Sequence, residues 1–227
     1  MTDYRQTLTR VETYFDQTAT RAWEALTSDA PVSKVRQTVR AGRDRMRQVM
    51  LGCLPTDLRG ARILDAGCGT GMMTQELARR GAHVTAIDIS PSLVGIAQRR
   101  LPESLSRHVT FLSGDMLKED LGRFDHVMAM DSLIYYTAAD IGAALARLGP
   151  RTSGSIVFTV APRTAFLMTF WGLGKLFPRS DRSPVMIPHA PETLASAARD
   201  AGAPGHLRVV ERVTAGFYIS QAMELRT

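Results

Sequence analysis

Apolar positions recur along this chain with two different periods, and the change from one to the other divides it. Over residues 1–54 the pattern is helical: Val35, Val39, Met46 and Val49 fall on one stripe, and glycine is confined to Gly42 and Gly52. The string Ser28-Asp29-Ala30-Pro31 splits this stretch into two predicted helices. Beside the stripe, Arg36, Arg40, Arg43 and Arg47 step by four, three and four and so share a face. A solvated polar face and an anion-facing rim both fit that spacing. From Arg62 onward short apolar runs alternate with helix-period segments, which predicts an α/β domain with a mostly parallel sheet. Strands are expected at 61–65, 82–87, 108–112, 124–130 and 155–160, and near 206–212 and 216–225, seven in all. Helices are expected at 71–80, 91–101, 138–148 and from Pro191 to about Ala201, with Ser90 and Pro91 as N-cap and first-turn residue of the second. The reading is a helical cap, 1–54, on a domain spanning 55–227 that carries an insertion at 162–190.

The loop after the first strand carries chemistry. In Arg62-Ile63-Leu64-Asp65-Ala66-Gly67-Cys68-Gly69-Thr70-Gly71 a short apolar run ends in Asp65, and a glycine loop then opens a helix at Met72. Glycine is needed where the chain turns sharply and a ligand must approach the backbone. Seventeen residues past Gly71, Asp88 closes the second strand, with Ile89 beside it. A carboxylate at that place can accept both hydroxyls of a ribose. Met72 stands where a dinucleotide fingerprint needs a small residue, so G-x-G-x-x-G fails. Ligands of open parallel sheets bind beyond the carboxyl ends of the strands. Asp115 and Met116 follow the third strand and Asp131 the fourth, so they join the candidate set.

The string from Leu64 to Met72, with Asp88 downstream, resembles motif I of class I S-adenosylmethionine-dependent methyltransferases. The resemblance implies a Rossmann-like fold with helices on both faces of the sheet. It implies that Gly67, Gly69 and Gly71 lie against the methionine and ribose of S-adenosylmethionine, and that Asp65 holds the loop or the ligand's ammonium. Asp88 would take the ribose diol, Asp115 the adenine amino group, and Met116 would form a soft wall for the ring. The cationic sulfonium and ammonium suit a site containing Asp65, Asp88 and Asp131.

Composition narrows the acceptor. The net charge of +6 fits an anionic partner, and it fits equally the bias of a GC-rich genome, because almost all of the base is arginine and only Lys34, Lys118 and Lys175 are lysines. Base-methylating amino methyltransferases carry Asn/Asp-Pro-Pro-aromatic after the fourth strand, where this chain reads Asp131-Ser132-Leu133-Ile134-Tyr135. Cytosine C5 chemistry needs a cysteine after strand four or five, and neither Cys53 nor Cys68 is there. No basic patch interleaved with aromatics is present, so nucleic acid is not expected as a partner. Two cysteines make no disulfide framework, and one inside the glycine loop fits a reducing, cytoplasmic compartment. The polar start Met1-Thr2-Asp3-Tyr4-Arg5 predicts no secretory signal, and Ala165 to Leu173 is too short to span a bilayer.

The whole chain resembles the bacterial magnesium-protoporphyrin IX O-methyltransferases of bacteriochlorophyll synthesis. The resemblance is carried by Tyr14-Phe15 with Trp23, by the run from Val32 to Gly42, by Leu133-Ile134-Tyr135-Tyr136, by Ala161-Pro162-Arg163-Thr164, by Leu176-Phe177-Pro178 and by Phe217-Tyr218-Ile219-Ser220. It implies transfer of a methyl group from S-adenosylmethionine to one propionate of magnesium protoporphyrin IX, with S-adenosylhomocysteine as the other product. Magnesium arrives with the substrate, so no protein-held metal is expected. Relatives from oxygenic phototrophs carry His where this chain has Tyr135, so no histidine base carries over. Tyr14, Tyr135 and Tyr136 are the expected hydroxyl donors. The segment from Ala165 to Leu173 reads either as a helix on the sheet or as an apolar lid over the macrocycle, with Met168, Phe170 and Trp171 as contacts. Arg163, Arg179 and Arg182 flank it as partners for propionates, and His189 matches a family position near the acceptor pocket. A quinone or other small apolar acid is the rival substrate, and a non-catalytic S-adenosylmethionine-binding regulator the rival class. Direct handover from magnesium chelatase and peripheral contact with the photosynthetic membrane stay open.

Overall fold

A computed structural model describes residues 2–16, 24, 27, 34–164, 167–168 and 184–227. Two helices come first, α1 (Thr2–Tyr14) and α2 (Lys34–Leu51). Strand and helix then alternate: β1 (Arg62–Ala66), α3 (Met72–Arg79), β2 (His83–Asp88), α4 (Pro91–Arg100), β3 (Val109–Ser113) and β4 (Phe124–Ala129). The chain continues through α5 (Ala138–Leu148), β5 (Thr152–Pro162), a two-residue β6 (Pro188–His189) and α6 (Pro191–Asp200). It ends in a hairpin, β7 (His206–Ala215) and β8 (Tyr218–Arg226).

The principal sheet has the order β3-β2-β1-β4-β5-β8-β7, with β6 paired to the end of β5. The first five strands are parallel, whereas β8 runs antiparallel to both β5 and β7. Adjacent strand residues point to opposite faces, and the core splits accordingly. Leu64, Val127 and Phe158 pack with α5 and α6 on one face. Ile63, Met128 and Val157 pack with α2 and α3 on the other. Near-continuous apolar runs are what a parallel sheet covered on both faces requires.

Local chemistry accounts for the helix starts. The Ser90 hydroxyl accepts from the Leu93 N–H at 3.2 Å to cap α4, with Pro91 in its first turn. Thr137 and Asp140 form a reciprocal capping box on α5. The first helices lie on the domain itself. A Cβ at Gly42 would fall 2.6 Å from the Tyr218 ring, so glycine lets α2 approach β8 closely. The α2 stripe is buried at Met46 and Val49 and emerges at its start, where Val35 is 49% exposed, because the first turn runs beyond the sheet.

β5 is longer than the apolar run alone suggests because it holds ladders on two sides, to β4 and to β8. β6 is too short to leave a period in the sequence. Of the predicted insertion, residues 165–166 and 169–183 lie outside the described residues, and so do Trp23, Phe170, Trp171, Arg179 and Arg182.

Candidate active site

At the carboxyl ends of β1, β2 and β4 lies one cleft, enclosing ≈ 900 Å³ when its open mouth is counted. The glycine loop forms its floor. Gly67 and Cys68 donate their N–H groups to the Ile87 carbonyl at 2.8 and 3.0 Å, which folds the loop over the end of β2. Gly67 has φ of 82°, and a Cβ there would sit 2.4 Å from that of Ser132. Only glycine fits both the backbone and the space. Gly69, with φ of 53°, also lines the cleft. Gly71 does not. Its φ is 82° and a Cβ would come within 3.0 Å of Ala97, so its smallness serves the packing of loop against α4.

Asp88 is 8% exposed and faces the loop. One oxygen accepts the Gly69 N–H at 2.8 Å and the other the Ser90 N–H at 2.9 Å. Burial raises its proton affinity, and these N–H groups oppose that. A carboxylate has about four lone-pair sites, so a diol can still be accepted. Asp65 lies deeper, 1% exposed, and its Oδ2 accepts the Thr74 hydroxyl at 2.5 Å. Burial pushes its carboxyl up to about 7, against the hydrogen bond from Thr74 and the charge of Arg47. Ile89 and Met116 line the cleft as expected.

Asp115 stands just behind the lining, between Gly114 and Met116, which are part of it. Its Oδ1 accepts the Tyr4 hydroxyl at 2.7 Å and the Leu117 N–H at 2.9 Å. Tyr4 in turn stacks on Tyr136 with ring centroids 5.0 Å apart, so α1 closes this end.

Asp131 is the junction of four elements. It has φ of 56°, a region that Asp tolerates better than most residues. Its carboxylate takes Arg43 of α2 at 2.6 Å, the Thr159 hydroxyl of β5 at 3.1 Å and the Tyr218 hydroxyl of β8 at 3.2 Å. The Thr159 hydroxyl also accepts the Asp131 N–H at 2.7 Å.

The opposite wall is aromatic. Phe15 meets Tyr135 edge-on at 6.3 Å, and Tyr14 meets Phe15 at 5.2 Å. Tyr135 and Tyr136 line the cleft; Tyr14 packs at its border through Phe15. Burial raises the phenol pKa of Tyr135, so at neutral pH it is a protonated donor. His189 is 5% exposed and does not line the cleft; its Nε2 is 2.9 Å from the Tyr136 carbonyl. The Ile187 N–H donates to the Ile134 carbonyl at 2.9 Å, so β6 and the residues before it brace the loop that carries the two tyrosines. Arg163 is exposed, its backbone N–H spent on the His189 carbonyl at 3.0 Å. Met168 is half-buried, and neither it nor Arg163 is part of the lining.

Sequence reasoning left Arg43 and Arg47 between two readings, and both line the cleft. The four-residue ladder slopes: Arg36 is exposed, Arg40 half-buried, and the side chains of Arg43 and Arg47 are 14% and 10% exposed. Spacing identified the face but not what it would meet. Ser132 also lines the cleft and carried no separate signal, and Phe15, which entered only as part of the Tyr14-Phe15 resemblance, lines it too.

Comparisons with known proteins show what the chain as a whole is similar to. The family model for the magnesium-protoporphyrin IX methyltransferase C-terminus matches residues 129–227, and a general methyltransferase domain matches 63–150. The magnesium-protoporphyrin O-methyltransferase of Rhodobacter capsulatus is 62% identical over 225 residues, covering 99% of this chain and 98% of its own. The Synechocystis protein of the same name is 29% identical over 86% of each chain. The crystal structure of magnesium protoporphyrin IX methyltransferase from Synechocystis with bound S-adenosylhomocysteine superposes with a TM-score of 0.82 at 28% identity, over 96% of this chain and 98% of that one.

Proposed function

The chain belongs to the magnesium-protoporphyrin O-methyltransferase family, and on that premise we propose the roles its cleft residues play. The reaction moves a methyl group from S-adenosylmethionine to a propionate carboxylate of magnesium protoporphyrin IX, giving the monomethyl ester and S-adenosylhomocysteine. The observation that carries the residue assignments is that the glycine loop with Asp65 and Asp88 opens into the same cleft as Tyr135 and Tyr136.

Residues on the cofactor side fit the group. Gly67 leaves a cradle that a Cβ would fill, and buried carboxylates suit a ligand bearing a sulfonium and an ammonium. Asp88 holds the ribose diol; Gly69 and Ile89 approach through the backbone and an apolar contact. Met116 backs the adenine, and Asp115, steadied by Tyr4, stands where its amino group would be read. Asp131 fixes the turn between the two sides.

When bound, the cofactor supplies an electrophilic methyl carbon on a positively charged sulfur. A lone pair of the propionate oxygen forms the new O–C bond, and the pair of the broken S–C bond returns to sulfur. No proton moves. A propionate has a pKa of about 4.3 and is already ionised at pH 7, so no general base is required. The reacting charges, one positive and one negative, cancel as the bond forms. Exclusion of water by Phe15 and the tyrosines therefore favours the step, provided the oxygen is held in line. Tyr135, a protonated phenol, orients the second carboxylate oxygen, with Tyr14 and Tyr136 beside it. Arg163 and Met168 belong to the outer approach of the macrocycle, while His189 acts by bracing the tyrosine loop.

The same reading covers the surroundings. The substrate already contains magnesium, so the enzyme that inserts it, magnesium chelatase, is the source from which the porphyrin is received. The free thiol of Cys68 in the glycine loop supports a reducing, cytoplasmic compartment, and a net charge of +6 with the apolar run from Ala165 to Leu173 supports peripheral contact with an anionic membrane. Among the described residues no helix is long and apolar enough to cross a membrane.

Incubation with S-adenosylmethionine and magnesium protoporphyrin IX, followed by mass spectrometry, tests the reaction. A gain of one methylene on the magnesium porphyrin, with none on a quinone precursor, is expected. Methylation of the quinone precursor alone would overturn the substrate, and cofactor binding without any turnover would favour a regulator.

A further inference from the structure

Along α1 and the residue that follows it, Tyr4, Leu8, Val11 and Phe15 are spaced by four, three and four and so share a face. Leu8, Val11 and Phe15 line the cleft. Tyr4 stands behind the lining and meets a residue from each side of it. Its hydroxyl donates to Asp115 Oδ1 at 2.7 Å, and its ring stacks on Tyr136 with centroids 5.0 Å apart and planes 28° from parallel. Burial, with Tyr136 and Asp115 nearby, raises its phenol pKa, so at neutral pH the proton stays on Tyr4. The Leu117 N–H meets the same carboxylate oxygen at 2.9 Å. Both donors take Oδ1, so a ligand's amino group would be received on Oδ2.

We propose that Tyr4 is a positioning residue that links recognition of the donor's adenine at Asp115 to the acceptor wall at Tyr136, so that the bound methyl donor tightens the cleft's hold on the porphyrin. This rests on the reading of Asp115 as the group that receives the adenine amino group. Adenine on Oδ2 fixes the carboxylate, the carboxylate fixes the Tyr4 hydroxyl, and the stacked ring fixes Tyr136. Tyr136 is suited to receive that constraint. It is 3% exposed and lines the cleft, and its backbone carbonyl lies 2.9 Å from His189 Nε2. The loop is therefore anchored on one side, and the Tyr136 ring is steadied by Tyr4 on the other. Burial and then the charge of Asp115 raise the Tyr136 phenol pKa as well, which marks the carboxylate as its neighbour. Met116, the expected wall for the adenine ring, belongs to the same apolar cluster as Tyr136, and Tyr4 packs against that cluster. Tyr4 touches no ligand, so its effect on one ligand must depend on the presence of the other. Such coupling is reciprocal: the porphyrin strengthens donor binding by the same factor.

The test measures porphyrin affinity by fluorescence titration with and without saturating S-adenosylhomocysteine, which forms a complex that cannot react. In the wild-type chain S-adenosylhomocysteine should tighten magnesium protoporphyrin IX binding by about fivefold or more. Tyr4→Phe keeps the ring and loses the hydrogen bond, and its factor should fall to about one while affinity for the porphyrin alone changes less than about twofold. Tyr4→Gln keeps a donor and loses the stack, and should lose the factor too; it decides the matter should Tyr4→Phe not fold. A variant that weakens the porphyrin equally with and without S-adenosylhomocysteine, and so keeps the wild-type factor, would make Tyr4 merely structural and overturn the proposal. A wild-type factor of one would do the same. S-Inosylhomocysteine, with a carbonyl in place of the adenine amino group, tests the route. It should bind the wild-type chain more weakly and leave porphyrin affinity unchanged when saturating. Coupling as strong as that of S-adenosylhomocysteine would overturn the path through Asp115. Equal affinity of the wild-type chain for the two nucleosides would instead remove the reading of Asp115 on which the proposal rests.

Discussion

The two sides of the cleft are built by different means. The cofactor side is a product of strand ends and backbone amides: Asp65 closes β1, Asp88 closes β2, and the Gly67, Cys68 and Gly69 N–H groups fasten the loop between them. These loop partners lie within about thirty residues, from Asp65 to Ser90. The acceptor side is made of side chains that meet across more than a hundred residues. Tyr4 reaches Tyr136, and Phe15 reaches Tyr135. Backbone contacts set a shape that many substitutions leave intact, whereas aromatic contacts can be re-cut one residue at a time. A methyltransferase can thus keep its methyl donor while its acceptor changes.

The largest effect expected on that contrast is at Gly67. Gly67→Ala places a Cβ 2.4 Å from Ser132 at a positive φ, so cofactor binding should fall below detection and Tm should drop. Calorimetry and thermal melts measure both, and binding within threefold of wild type would show that the loop yields. Next comes Asp88→Ala, which removes the ribose acceptor and frees the Gly69 and Ser90 N–H groups. A loss of roughly 1.5–3 kcal/mol in S-adenosylhomocysteine binding is expected. Unchanged affinity would reassign the diol. On the other wall, Tyr135→Phe should lower kcat by about tenfold, near one hydrogen bond, with cofactor affinity unchanged. Tyr14→Phe should do less, since Tyr14 reaches the cleft through Phe15. If Tyr14→Phe proves the more damaging in single-turnover assays, the border residue is the true orienting group.

The smallest effect is one of pH. Asp65 is pushed up to about 7 by burial, above its usual range. A group whose folded pKa is raised contributes stability that is present below its unfolded pKa and is lost as pH rises through the folded one. Without ligand, Tm should therefore decline between about pH 4 and 7. Asp65→Asn should flatten that decline, and an equal slope in both proteins would assign it to other groups.

The fold was legible wherever a period was long enough to repeat. β1 to β4 and α3 to α6 lie within a residue or two of where apolar spacing predicts them, because parallel strands and amphipathic helices are the sources of those periods. Asp65, Gly67, Gly69 and Asp88 were legible as a group because they are neighbours in sequence. What the sequence hides is the partner at the other end of a long contact. Nothing local says that Gly71 faces Ala97, that Asp115 meets Tyr4, or that the His189 ring turns to the Tyr136 carbonyl. The arginine ladder shows the same limit from the other side. Its spacing is plain, but its slope into the cleft depends on how α2 crosses β8.

The turn at Asp131 bears on how this protein can change over generations. Among the described residues it alone is a non-glycine with positive φ, and its carboxylate answers to α2, β5 and β8 through Arg43, Thr159 and Tyr218. Exchange to glycine would relax the backbone and take one acceptor from three side chains; exchange to asparagine would keep the conformation and remove the charge that Arg43 meets at 2.6 Å. Either exchange changes what the other three positions meet. The four sites form an epistatic set, and descendants of this chain should inherit them together or replace them in concert.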